Sequence, residues 1–262
     1  MATIDEGDHG APERRGAAPP DGLLANSVTV LAIVYFASAM SWYAAAAALP
    51  IEHHVPVVAG LVLAAICALV LRALPFHAHP RFGWANLITS LRAGMISLVC
   101  AIVLSSGAFG EQQNENLIWA TAATVMLALL LDGVDGYLAR RYRQESAFGA
   151  RFDMELDAFL ILVLSVAALV LEKAGPWVLL IGLLRYAFVL AQWPFPWMTK
   201  SLRVSFRRKL VCVIQVATLC GVLLPIVSQP VSGALCAVGL ALLVSSFFVD
   251  VRYLMARRGE TV

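Results

Sequence analysis

The chain has 262 residues, 60% of them hydrophobic and 14% charged, with a formal net charge of +2 and a strongly positive mean hydropathy. Soluble domains carry about 25% charged residues, so this composition excludes a single soluble domain and points to a polytopic membrane protein. The net charge says little about partners, and nucleic acid is not expected among them. Cys67, Cys100, Cys212, Cys220 and Cys236 all lie inside apolar runs without paired spacing, so disulfides and a thiolate metal site are not expected.

Residues 1–22 are rich in Pro, Gly, Ala and charge and lack the hydrophobic centre of a secretory signal, which predicts a disordered tail. Apolar runs at 23–49 and 55–74 are each long enough for a membrane crossing, with a tight turn at 50–54 between them. Residues 75–85, with His77, His79, Arg81 and Trp84, are expected along the interface. Neither His77/His79 nor His53/His54 has a spacing that favours a metal site. Further spans are expected at 87–104, 117–138, 153–171, 177–192, 210–227 and 231–253. The expectation is an all-α integral membrane fold with eight transmembrane helices: two N-terminal helices over 23–74, then a six-helix domain over 86–256.

Loop charge gives the orientation, because cytoplasmic connections carry the excess of Lys and Arg. Arg14 and Arg15 mark the tail. Arg72, Arg81 and Arg92 surround the second connection, and Arg140, Arg141, Arg143 and Arg151 the fourth. Lys200, Arg203, Arg207, Arg208 and Lys209 mark the sixth, and Arg252, Arg257 and Arg258 the end. The intervening connections contain only Lys173. Both termini and the fourth connection are therefore expected on the cytoplasmic side, in a plasma membrane such as the bacterial inner membrane.

That fourth connection is flanked by Asp132, Asp135, Asp153 and Asp157, set in apolar sequence. On a helix Asp132, Asp135, Gly136 and Ala139 share one stripe, and Gly149, Asp153 and Asp157 share another. Two helices joined by the polar turn 141–146 could aim four carboxylates into one volume. Their repulsion and burial would cost several kcal/mol each unless a cation intervened. All-oxygen ligation suits Mg²⁺, Mn²⁺ or Ca²⁺. Helix rise places Asp132 roughly 22 Å beyond Leu117, within about 10 Å of the cytoplasmic boundary.

The run Asp132-Gly-Val-Asp135-Gly136-Tyr-Leu-Ala139-Arg140, eight residues, Gly149, three residues, Asp153, three residues, Asp157 resembles the signature of the CDP-alcohol phosphotransferases at every fixed position. The resemblance spans about residues 84–255. It implies transfer of a phosphatidyl group from CDP-diacylglycerol to an acceptor alcohol, with release of CMP and dependence on Mg²⁺ or Mn²⁺. It further implies that Asp132, Asp135 and Asp153 hold metal, and that Asp157 is the general base and also a candidate ligand. Gly136, Ala139 and Gly149 would admit the nucleotide, and Arg140 would contact phosphate or brace the acids. Asn86, Thr89 and Arg92 match an Asn, Thr, Arg pattern at the start of the family's core, where Asn86 and Thr89 would hold the CDP moiety. The alternative for these three is helix capping and an interfacial arginine. Relatives pair as homodimers, so a homodimer is implied.

Arg185 lies well inside a span and so needs an acid, a phosphate or a water-filled cavity. Arg207, Arg208 and Lys209, at a cytoplasmic helix end, are candidates to grip a phosphate on the acceptor or donor, or to meet anionic headgroups. These residues favour a phosphorylated acceptor such as glycerol 3-phosphate. Ala158 directly after the last aspartate argues mildly against inositol phosphates, and Met154 could reshape the acceptor pocket. Trp193, Phe195 and Trp197 suggest an interface belt. Two other functions remain open: an intramembrane prenyltransferase, which would need a second acidic cluster where Asp250 stands alone, and a divalent-cation transporter.

Overall fold

The computed structural model describes residues 22–49, 51–77, 79–105, 115–142, 144–199 and 206–256. The expected tail at 1–22, apart from Gly22, lies outside the described residues. So do Arg143, Lys200, Arg203, Arg257, Arg258 and most of the third connection.

Among the described residues the chain is all-helical. Its helices are α1 (Leu23–Ala48), α2 (Val55–Ala73), α3 (Trp84–Leu104), α4 (Glu115–Arg141), α5 (Ala147–Val170), α6 (Leu179–Ala191), α7 (Phe206–Leu223) and α8 (Val231–Ala256). Each expected segment overlaps one of these helices, in the expected order. At the charged ends they run further than hydropathy suggests: α3 takes in Trp84, α4 continues to Arg141, and α5 begins at Ala147. The backbone keeps its hydrogen-bond ladder beyond the apolar residues, because a helix needs only compatible side chains and caps to continue. Ser146 supplies one such cap to α5, its hydroxyl accepting from the Gly149 amide at 2.9 Å.

Among the described residues five helices, α1 to α4 and α8, are long and apolar enough to cross a membrane. α5 and α7 are interrupted by charge near their starts, at Asp153, Glu155 and Asp157 and at Arg207, Arg208 and Lys209, and α6 is short. Large apolar side chains such as Phe36, Met40, Leu130 and Phe248 stand exposed, as lipid-facing residues do.

The centre of the molecule is α3, which is 67% buried over its apolar window against 17–33% for the other four crossing helices. Its small residues Ser90, Ala93, Gly94, Ser97 and Ala101 let neighbours approach closely. α1 and α2 pack along its back, where Trp42, Val55, Ala59 and Leu63 join Ala93 and Ile96 in one core. The α1 residue Asn26 also accepts a hydrogen bond from the Phe82 amide at 3.0 Å, fixing the entry to α3. α4 and α5 cover its front. α6 meets α5 at Gly182, where a Cβ would lie 2.5 Å from the Leu162 Cα.

At the end opposite the acids, Lys173 Nζ donates to the Leu224 and Val227 carbonyls at 3.1 and 2.6 Å. It thereby holds the turn that follows α7, where the negative end of the helix favours a cation. Burial holds this ammonium below the ordinary lysine value.

Candidate active site

Three helix ends build the site. α4 contributes Asp132 and Asp135, α5 contributes Asp153 and Asp157, and α3 contributes Asn86, Thr89 and Arg92 on successive turns. The fully buried Arg92 guanidinium lies between the carboxylates. Its Nη1 is 3.0 Å from Asp132 Oδ1 and 2.9 Å from Asp135 Oδ2, and it also bonds Asp153 Oδ1. Its Nη2 donates to Asp157 Oδ1 at 2.6 Å, and Nε to the Ala128 carbonyl of α4 at 3.1 Å. Thr89 Oγ1 stands 3.1 Å from Asp135 Oδ2. One guanidinium faces four carboxylates, of which Asp135 is buried and the other three partly exposed, and gathering so many acids in one place is expensive unless their charge is compensated.

One oxygen each from Asp132, Asp135 and Asp153 come within 4.8 Å of one another, the one such group of potential metal ligands among the described residues. Hard, charged, closely spaced oxygens fit Mg²⁺ or Mn²⁺. Asp157 stands outside this trio and meets the other guanidinium nitrogen. Its Oδ2 also accepts from the Cys212 thiol of α7 at 3.8 Å.

The remaining residues singled out in the sequence are distributed around this centre. Asn86 is buried, its Nδ2 donating to the Phe82 carbonyl at 2.5 Å while its Oδ1 faces Gly149. A Cβ on Gly149 would come 2.8 Å from that oxygen, so the glycine permits the close approach of α5 to α3. Gly136 faces Arg140, whose Nη1 would lie 3.4 Å from an added Cβ. Arg140 is exposed and Ala139 half-buried.

Bracing of the acids falls to Arg92, which the sequence offered either as the third member of the Asn86, Thr89 pattern or as an interfacial arginine.

Arg185 does not reach the acids; it pairs with Glu155 Oε1 at 2.5 Å. Arg207 ties α7 to α8 through Asp250 Oδ1 at 2.6 Å and the Ser246 carbonyl at 2.7 Å. Asp250, solitary in the sequence, is thus part of a helix–helix contact. Arg208 is half-buried, and the Lys209 side chain lies outside the described residues. Three histidines make structural contacts away from the acids: His54 bonds Ser105 at 3.0 Å, His77 the Arg81 carbonyl at 2.9 Å and His79 the Glu145 carbonyl at 3.0 Å.

No solved structure matches the chain. Over 62 residues, 24% of its length, it is 36% identical to the CDP-diacylglycerol–glycerol-3-phosphate 3-phosphatidyltransferase of Cereibacter sphaeroides, and the aligned part spans 28% of that relative. The family model for CDP-alcohol phosphatidyltransferases matches residues 82–245, from the residues preceding α3 into α8, leaving α1 and α2 outside. The match covers well over half of the chain and contains every aspartate of the site, so the chain belongs to the CDP-alcohol phosphatidyltransferase family.

Proposed function

We propose that this protein transfers the phosphatidyl group of CDP-diacylglycerol to the hydroxyl of an acceptor alcohol, releasing CMP. The observation that carries the reading is the convergence of Asp132, Asp135, Asp153 and Asp157 at one point between α3, α4 and α5. In this reading Asp132, Asp135 and Asp153 hold Mg²⁺ or Mn²⁺. The bound ion would neutralise the diphosphate and the charge gathering on the departing CMP.

Asp157 takes the proton from the acceptor hydroxyl as its oxygen attacks the lipid-linked phosphorus. Its position beside the trio supports a division of labour between ligands and base. Asn86 and Thr89 orient the cytidine diphosphate at the mouth of α3, Gly136 and Ala139 keep the approach open, and Gly149 lets Asn86 stand close against α5. With these groups placed on rigid helix ends, alignment of hydroxyl and phosphorus supplies a large part of the acceleration.

The acceptor we favour is glycerol 3-phosphate, the substrate in the name of the Cereibacter relative. The candidates for its phosphate are the basic residues Arg185, Arg207, Arg208 and Lys209, by virtue of their charge and their donor groups. We place eight helices across a plasma membrane such as the bacterial inner membrane, with both termini and the site on the cytoplasmic side, and expect a homodimer.

The test is to incubate purified protein with CDP-diacylglycerol, Mg²⁺ or Mn²⁺, and glycerol 3-phosphate, serine, choline or inositol phosphate in turn. CMP and a phosphatidylglycerophosphate product are expected with the first acceptor. Metal flux into vesicles without CMP release would instead favour a transporter.

A further inference from the structure

We propose that Arg92 is a positioning residue that competes with the divalent ion for the same oxygens and so couples loading of the trio to release of Asp157. The inference rests on the reading that Asp132, Asp135 and Asp153 bind such an ion. Nη1 lies within 3.0 Å of Asp132 Oδ1 and Asp135 Oδ2 and also touches Asp153 Oδ1. An ion bonded to those three oxygens at about 2.1 Å would occupy the volume that Nη1 fills. Ion and guanidinium nitrogen cannot share it.

The guanidinium has little room to retreat. Its side chain is fully buried, and Nε is anchored to the Ala128 carbonyl at 3.1 Å, so displacement has to be a local rotation rather than an exit to water. Because the group is planar and rigid, turning Nη1 away from the trio also carries Nη2 away from Asp157 Oδ1, which it now holds at 2.6 Å. Ion binding therefore separates Arg92 from Asp157 Oδ1, and Arg92 otherwise keeps the four acids gathered.

Full-length protein in lipid nanodiscs tests this with Mn²⁺ binding followed by electron paramagnetic resonance. Thermal unfolding is measured alongside, in chelator and in Mn²⁺. Arg92→Gln removes the competing charge, so Mn²⁺ should bind about tenfold tighter or more, while the unfolding midpoint in chelator falls. Arg92→Lys keeps a charge but cannot span the trio and Asp157, and should give an intermediate affinity. In wild-type protein, saturating Mg²⁺ should shift the Arg92 guanidinium nitrogen resonances, a readout that needs no variant to fold. Unchanged or weaker Mn²⁺ binding in the folded variants, or invariant Arg92 resonances despite Mg²⁺ binding, would overturn the competition. Failure of wild-type protein to bind either ion would overturn the divalent-ion reading itself.

Discussion

Replacing Gly182 by alanine probes how α6 holds α5, the helix that carries Asp153 and Asp157. A Cβ at this position would lie 2.5 Å from the Leu162 Cα and 3.0 Å from its Cβ. Comfortable carbon contacts are about 3.5–4.0 Å, so the helices would have to part by about 1 Å. Backbone atoms cannot yield by changing rotamer. Helix propensity favours alanine over glycine by up to about 1 kcal/mol, whereas an extra methyl forced into a packed interface costs about 1–3 kcal/mol. Overpacking should win, for a net loss of up to about 2 kcal/mol.

Gly221 in α7 is the matched control, since an added Cβ there meets nothing within 4 Å. Gly221→Ala should leave stability unchanged or raise it by up to about 1 kcal/mol. In detergent micelles the unfolding midpoint should fall for Gly182→Ala and not for Gly221→Ala. Leu162 follows Asp157 by little more than one turn of α5, so CMP release should fall with it. Equal midpoints for the two variants would refute the claim that the α5–α6 crossing tolerates only glycine.

Asp157→Asn should lower turnover by at least about a hundredfold while leaving binding of CDP-diacylglycerol mostly intact, as checked by CMP release and equilibrium binding. Activity near wild type would exclude Asp157 as the base. Gly149→Val should push α5 off Asn86, given the 2.8 Å approach of an added Cβ to Asn86 Oδ1, and raise the donor KM by about tenfold or more. An unchanged KM would show that this approach does not shape the nucleotide site.

At the edge of the fold, burial holds the His77 imidazole below its ordinary value, opposed by its bond to the Arg81 carbonyl and aided by neighbouring His79. The unfolded chain therefore takes up this proton more readily. The associated stability is complete above about pH 6.5 and is lost as pH falls through the lower folded value. His77→Gln should flatten that part of the thermal-midpoint profile; an unaltered acid limb would assign it to other groups.

Much of this protein was legible one residue at a time. Composition and apolar run length gave an all-helical membrane chain, because a lipid-exposed backbone must satisfy its own hydrogen bonds. The spacing of Asp132, Asp135, Gly149, Asp153 and Asp157 follows the helical period, so two acidic faces could be drawn before any packing was known. Partnerships between helices could not be drawn that way, since they depend on crossing positions set by small residues and side-chain shape. Only the tertiary structure put Arg92 at the centre of the four carboxylates, gave Arg185 to Glu155 and Arg207 to Asp250, and packed α1 and α2 against the back of α3. An arginine near a membrane surface looks the same in a sequence whether it faces headgroups or acids, because its charge is local while its burial is decided by what packs around it.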